Sequence, residues 1–353
     1  MNKRPKILFL YTEIATYFLA CIKELYKEAD VAIVRWPLNS EAPFQFEFHK
    51  DWRILDRNDL DAKSLLEFSK AFDPDVLVCS GWVDKAYNTV ASFWFNKIPT
   101  LMLLDNHYTG SVRQQLGLLA SPFKLKNRFS HIWVPGEPQY KFARKLGYKR
   151  HQILQGFYSA DVAHFDKIFQ ETFPEKEKHF PKRFIYMGRY VEFKGIFEMW
   201  KAFIEALSES NDQEWELWCL GTGDEWDQRM EHPRIKHFGF VQPGDLQEIL
   251  KDTGVFVLPS HKEPWGVVVH EMAVAGFPLI CSDKTGAATK FVEKGKNGIL
   301  FKTGDKDMLK SAFLKFMNTS EDDLIKMGKK SHQIGMTHSP EKWKETLLGL
   351  LSA

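Results

Sequence analysis

The chain has 353 residues, 44% hydrophobic and 27% charged, which favours two globular cores and excludes both a disordered chain and a collagen-like one. Its 48 basic and 46 acidic side chains leave a formal charge of only +2, so there is no bulk attraction to nucleic acid.

The first stretch, MNKRPKILFLYTE, has a basic flank, but its apolar run is too short for a signal-peptide core, and no apolar run in the chain reaches the ~18 residues of a membrane span. The expectation is a cytoplasmic protein. KILFLYT reads as a strand, IATYFLACIKELYKE as an amphipathic helix, and DVAIVRW as a second strand. DVLVCSG, IPTLMLLD and HIWVPG follow as further strands, separated by helix-length or irregular stretches. Strand–helix alternation of this kind implies an α/β fold with a parallel sheet covered on both faces.

Between Lys124 and Arg150 the charge is uneven, with eight Lys/Arg (124, 126, 128, 141, 144, 145, 149, 150) against the single acid Glu137. A solvated basic face and a contact with an anionic acceptor or the inner membrane surface both fit. The aromatic run SFWF (92–95) fits core and acceptor contact equally. The four cysteines, Cys21, Cys79, Cys219 and Cys281, lack metal-like spacing, and three sit in apolar runs as small hydrophobes would, which matches a reducing compartment.

Residues 161–182, with two prolines and a charge run, suit a linker between an N-terminal domain (1–160) and a C-terminal one (183–338). The pattern then restarts with RFIYMGR, the helix IFEMWKAFIEAL, WELWCLG, IKHFGFV, the short helix LQEILKDTG, GVFVLPS and FPLICSD. The ending, SPEKWKETLLGLLSA, reads as a Ser-capped helix with Pro at its first position, able to pack on either domain. No sequence repeat relates the halves.

Two stretches carry chemistry. In HKEPWGVVVHEMAVAG (261–276) a strand feeds a helix expected from about Trp265 to Ala275, with Gly276 as its stop. Such a helix presents unpaired amides at the carboxyl edge of the sheet, where anionic groups and phosphate bind, and Gly266 lets a ligand approach the backbone. Glu271, about six residues or ~9 Å along that helix, is a carboxylate on an almost wholly apolar element and needs a partner. With Glu263 in the preceding loop, it would flank a diphosphate with two hydroxyl acceptors. Solvent-facing glutamates are the plainer alternative. In RFIYMGRYVEFKGIFEMW (183–200) a strand ends at Gly188, and Arg189 and Lys194 follow, two cations that offset a diphosphate's charge or serve as ordinary surface residues. GTGDE (221–225) lacks the third glycine of a dinucleotide loop and reads as a tight turn. His261 and His270 read as packing or surface residues.

Taken in order, Arg189 with Lys194-Gly195, CLGTGDE, FGFV (238–241), GVFVLPSHKEPWGVVVHEMAVAGFPLICSD and NGILF resemble the C-terminal half of the family 4 retaining glycosyltransferases (glycosyl transferases group 1). The likeness covers residues 183 to 305 and extends through VPGEPQYKFARKLG. It implies a GT-B fold, two Rossmann-like domains facing a cleft, and transfer of a hexose from a nucleoside-diphosphate sugar (UDP or GDP) to a glycan or lipid-linked acceptor in surface polysaccharide biosynthesis. By resemblance Glu271 binds the ribose, Glu263 contacts the transferred sugar, and Arg189 and Lys194 hold the diphosphate with amides near Gly266 and Val267. Gly221, Gly223 and Val241 are further donor contacts. No cofactor or metal is implied, because the two cations replace a divalent ion. A histidine after a first-domain strand is matched by His107 in LMLLDNHYTG, with Asp105 close by; His131 is the fallback. The loop YTEIATYF departs from the pattern, having no glycine where relatives carry a Gly-rich loop.

Rival readings are a catalytically degenerate GT-B-like binding protein, a nucleotide-sugar epimerase and a phosphorylase. The first would tolerate loss of Glu263 and Arg189, which are both present; the second needs a carboxylate-and-histidine set not evident in the first half; the third needs a cofactor lysine signature that is absent. A nicotinamide dehydrogenase would need a Gly-rich loop after a leading strand.

Overall fold

The computed structural model describes residues 4–37 and 48–351. These form two compact units, Met1–Ser159 with His338–Ala353, and Ala160–Thr337.

The first unit is a sheet of seven parallel strands: β1 (Lys6–Tyr11), β2 (Asp30–Arg35), β3 (Arg53–Asp56), β4 (Val76–Cys79), β5 (Thr100–Leu103), β6 (His131–Val134) and β7 (Ile153–Gln155), in the order β3-β2-β1-β4-β5-β6-β7. Apolar runs without polar alternation become strands covered on both faces. Leu8, Leu10, Ala32, Val34, Leu77 and Cys79 pack into the core on one side. Their neighbours Ile7, Phe9, Val31, Ile33, Val76 and Val78 pack on the other, as the two-residue period of a strand requires.

The C-terminal helix Pro340–Leu348 belongs to this unit. Ser339 caps it by accepting from the Lys342 amide, and Trp343 is buried against Phe9 and Trp133, its indole N–H donating to the Phe157 carbonyl at 2.7 Å.

The second unit has six parallel strands: β8 (Arg183–Met187), β9 (Glu216–Leu220), β10 (Ile235–Gly239), β11 (Val255–Leu258), β12 (Leu279–Ser282) and β13 (Gly298–Phe301), ordered β10-β9-β8-β11-β12-β13. The expected linker at 161–182 is replaced by the helix Val162–Lys178, part of this unit. Asp161 caps it through the His164 amide, and Val162, Phe165, Ile168 and Phe173 give it a buried stripe, so the charge run is one face of a helix carrying Pro174.

In both sheets chain order reverses beside the first strand, between β1 and β4 and between β8 and β11. Crevices at the carboxyl ends of strands form at such switch points, and ligands bind there in open α/β sheets. All four cysteines are buried and free. Among the described residues no helix is long and apolar enough to cross a membrane.

Candidate functional site

The loops leaving β8 and β11 meet at the switch point of the second sheet. After β8 the chain passes Arg189, makes a single 3-10 turn at Glu192–Lys194, and enters the helix Ile196–Glu209 through Gly195 at φ 70°. A side chain at Gly195 would stand 2.5 Å from the Pro259 carbonyl oxygen, so only glycine lets this loop lie against the one after β11. That closeness brings Lys194 to Glu263, and the two form an ion pair with little exposure on either side chain.

Glu263 is fixed from several directions. Ser260 Oγ donates to its Oε2 at 3.3 Å, and its carbonyl accepts from the Gly286 amide at 3.0 Å. Ser282 Oγ in turn donates to the Ser260 carbonyl at 2.6 Å and lies 3.1 Å from Thr285 Oγ1. A Cβ at Gly286 would sit 2.1 Å from the Pro264 oxygen. The loop after β12 is therefore a clamp on the loop after β11. The resemblance covers these residues but assigns no role to Ser260, Ser282, Thr285 or Gly286, and the glycine in SDKTGA was the one visible signal of the clamp.

The helix that follows spans Val267–Val274, shorter than the expected Trp265–Ala275. Gly266 takes φ 85° and ψ 73°, a left-handed conformation that cannot be part of the helix, so the first free amides belong to the residues just after it. Gly276, at φ 78°, terminates the helix as expected. Glu271 is accordingly the fifth helical residue, roughly 6 Å along the axis from the first, closer to the helix start than the sequence implied.

Glu271 is half-buried, yet the protein around it is dense enough that burial, with a smaller contribution from the charge of Asp161, pushes its carboxyl up to about 7. Among the described residues no hydrogen bond or ion pair reaches that carboxylate. The partner that an apolar helix demands for its carboxylate is thus not supplied by the second unit. Its neighbour His270 is a packing residue. Its Nδ1 accepts from the Ala160 amide at 2.9 Å, its Nε2–H donates to the Gly335 carbonyl at 2.9 Å, and its ring stacks on Phe291. His261 lies at the rim, 3.6 Å from Glu198.

Arg189 is exposed, its guanidinium carbon 5.9 Å from the Phe193 ring centroid. Gly221 and Gly223 lie in the loop after β9, at φ 127° and 157°. A Cβ on Gly221 would be 2.0 Å from the Gly188 oxygen, and one on Gly223 2.5 Å from the Tyr190 oxygen. Hydrogen bonds from Gly188 N to Leu220 O and from Gly221 N to Gly239 O (3.0 and 2.7 Å) join the loops after β8, β9 and β10. Val241 follows β10, half-buried. The second unit thus gathers Arg189, Lys194, Glu263, Gly266, Val267 and Glu271 on the loops and helix that leave β8 and β11, with the glycine loops adjoining them.

In the first unit a cavity of about 210 Å³ opens at the corresponding switch point, lined in part by Tyr11, Ser80, Trp82, Asp105 and Tyr158. Burial raises the Asp105 carboxyl above its ordinary value, opposed in part by hydrogen bonds from the Asp105 and Asn106 backbone amides and, to a smaller extent, from the Tyr158 hydroxyl. His107 is the residue immediately beyond this lining, half-buried, its carbonyl accepting from Gln114 Nε2 at 2.9 Å. His131 heads β6, at the amino edge of the sheet, where its Nδ1 lies 2.8 Å from Ser130 Oγ. That is the end opposite the cavity, and the position removes it as the fallback. The glycine-free loop after β1 contributes Thr12 to the cavity wall.

Residues 167–333 match the family model described as glycosyl transferases group 1. An uncharacterised glycosyltransferase of Methanocaldococcus jannaschii is 30% identical over 125 residues, covering 33% of this chain and 31% of that protein. An N-acetylgalactosaminyltransferase of Campylobacter jejuni, named for the substrate N,N'-diacetylbacillosaminyl-diphospho-undecaprenol, is 25% identical over 205 residues, 53% of this chain and 51% of that protein. The matches to the first of these curated relatives span about a third of their length. Among solved structures, HepE of Anabaena in complex with UDP superposes with a TM-score of 0.73 at 15% identity, covering 98% of this chain and 99% of that one. The chain therefore has the two parallel-sheet units of the GT-B fold, and its second unit is the part that matches the glycosyl transferases group 1 model.

Proposed function

We propose that the protein is a retaining glycosyltransferase that moves a hexose from a nucleoside-diphosphate sugar to a hydroxyl of a glycan or lipid-linked acceptor, in the assembly of a surface polysaccharide. The observation that carries this reading is Glu271, a carboxylate on an apolar helix that no hydrogen bond reaches among the described residues, one turn from the amides that follow Gly266. A ribose hydroxyl pair would accept that role, with the diphosphate at the helix start.

In the reaction the bond between the sugar's C1 and the diphosphate oxygen breaks, and one between C1 and the acceptor oxygen forms on the same face. The acceptor proton passes to the departing phosphate oxygen. In this reading charge growing on that oxygen is met by Arg189, Lys194 and the helix amides. We assign these cations the work of a divalent metal, so the reading needs no cofactor. Glu263 both holds Lys194 and offers its carboxylate to sugar hydroxyls.

Cytoplasmic location, and contact of the basic 124–150 segment with an anionic membrane face, belong to the same reading. The UDP named for the Anabaena structure and the polyprenyl-linked substrate named for the Campylobacter relative are consistent with it. Asp105, in the cavity of the first unit, joins His107 as the first-unit candidate for the acceptor side.

The test is turnover of a panel of UDP- and GDP-hexoses, with the anomeric configuration of the product read by NMR. Release of one nucleoside diphosphate with retained configuration supports the reading. Binding without turnover of any donor would favour a degenerate nucleotide-sugar-binding protein, and inversion would remove the retaining mechanism.

A further inference from the structure

The helix Val112–Lys124 of the first unit shows two apolar faces, only one of which the protein uses. Inward, Leu118 packs on the core, Ser121 is buried with its Oγ donating to the Leu146 carbonyl at 2.8 Å, and Leu125 is buried just past the helix end. Outward, Val112, Leu116, Leu119 and Phe123 are 72, 61, 75 and 78% exposed. At 100° per residue these four fall within about 60° of one another, on the side opposite Leu118 and Ser121. The stripe runs ~16 Å along the axis. Single exposed hydrophobics need no explanation, but a continuous row on one helix marks an interaction surface.

The charge around the stripe selects the partner. The helix carries no acidic residue, and Arg113 and Lys124 flank the row. Lys141, Lys145, Lys149 and Arg150 are exposed on the helix and turn that follow. From Ser111 to Arg150 the only acid is Glu137, which already pairs with Lys141 at 3.5 Å. A second copy of the chain meeting this face symmetrically would set the same cations against one another, whereas an anionic bilayer complements both the apolar row and the charge.

We infer that this helix lies on the surface of an anionic phospholipid bilayer, with Val112, Leu116, Leu119 and Phe123 inserted at the headgroup boundary and the surrounding Lys and Arg in contact with the headgroups. The inference deepens the proposed reading, which sets the basic 124–150 segment against an anionic membrane face and names a lipid-linked acceptor, by identifying the helix that inserts. The loop 104–106, which lines the first-unit cavity, leads within six residues into this helix, and exposed Trp82 and Val83 also border that cavity. An acceptor whose lipid stays in the bilayer would then have its hydroxyl delivered near the cavity.

The test is co-sedimentation of the full chain with vesicles of phosphatidylcholine alone and with added phosphatidylglycerol, beside the variants Leu119→Glu/Phe123→Glu and Arg113→Glu/Lys124→Glu. The wild type is expected to bind only the anionic vesicles, and less as salt is raised. Loss of two inserted side chains should weaken that binding by about tenfold or more. Both pairs of positions are exposed, so the melting temperature and nucleotide-induced stabilisation should stay as in the wild type. This separates failure of the docking inference from failure of the donor site. No binding of the wild type to anionic vesicles would overturn the inference, as would undiminished binding by Leu119→Glu/Phe123→Glu. A wild-type dimer that this variant dissociates, without vesicle binding, would overturn it in favour of a second copy.

Discussion

Lys194 and Glu263, 69 positions apart, form an ion pair across the loops that leave adjacent strands of the second sheet, with side-chain exposures of only 14% and 11%. Removing one partner leaves the other charge poorly solvated. Lys194→Met and Glu263→Gln are each expected to destabilise the ligand-free protein, by roughly 2–3 kcal/mol. The double variant should cost clearly less than the sum, because the residues share one interaction. Additive changes in denaturation midpoint would contradict the pairing. For donor turnover Lys194→Met should lose about a hundredfold or more, the scale for a donor that stabilises a leaving group.

The glycine loops predict a different failure. At Gly221 a methyl group would overlap the Gly188 carbonyl, and the left-handed φ disfavours any side chain. Gly221→Ala is therefore expected to cost on the order of 1–3 kcal/mol and to weaken nucleotide-induced stabilisation, because the loop after β8 must shift. Gly244→Ala, where an added Cβ meets nothing within 4 Å, is the control and should change neither. Equal effects at the two positions would contradict the account.

Lys176 is buried in the helix Val162–Lys178, its ammonium 3.8 Å from the Phe277 ring centroid and, among the described residues, without a hydrogen-bond partner. Burial lowers its pKa from 10.5 to about 7, opposed by the charge of Asp252. Because the folded value lies below the unfolded one, Lys176's contribution to stability is present above pH 10.5 and is lost as pH falls toward 7. Lys176→Met should raise stability at pH 7 by about 1–3 kcal/mol and flatten the pH dependence between 7 and 10. Thermal melts across that range would show it, and a destabilised variant would contradict the assignment.

Much of this was legible in the sequence where apolar runs were long enough to be central strands. β1, β2, β4, β8, β9, β11 and β12 are such runs. β3 (RILD) and β7 (ILQ) are short edge strands with polar or charged residues, and periodicity does not reveal them. The linker expectation at 161–182 failed because proline and charge were taken as breakers, whereas tertiary burial of Phe165, Ile168 and Phe173 makes a helix of the same residues. The carboxylate on the apolar helix was visible as a local contradiction. The clamp of Ser260, Ser282, Thr285 and Gly286 was not, because it depends on two loops meeting in space. Nor was the outward stripe of Val112–Lys124, since a helical row of apolar residues reads as core until its other side is seen packed.

Glu271 also predicts a pH effect. With its folded pKa raised from 4.5 to about 7, its contribution is fully present below pH 4.5 and is lost as pH rises through 7. The ligand-free Glu271→Gln variant, which cannot ionise there, should lack that loss, so its melting temperature relative to the wild type should climb between pH 5 and 8. A constant difference would mean that the carboxyl is not crowded.

The central claim is that Glu271 binds the ribose of a nucleoside diphosphate, and the most direct measurement is ligand-induced thermal stabilisation of the wild type and Glu271→Ala with UDP, GDP, ADP, CMP and NAD. A ligand at a hundredfold over its dissociation constant adds about 2.7 kcal/mol, a shift of several degrees for domains of this size. The account predicts a selective shift with one nucleoside diphosphate in the wild type, and its loss in a Glu271→Ala protein that still melts cooperatively. An undiminished shift in that variant, or stabilisation of the wild type by NAD alone, would contradict it.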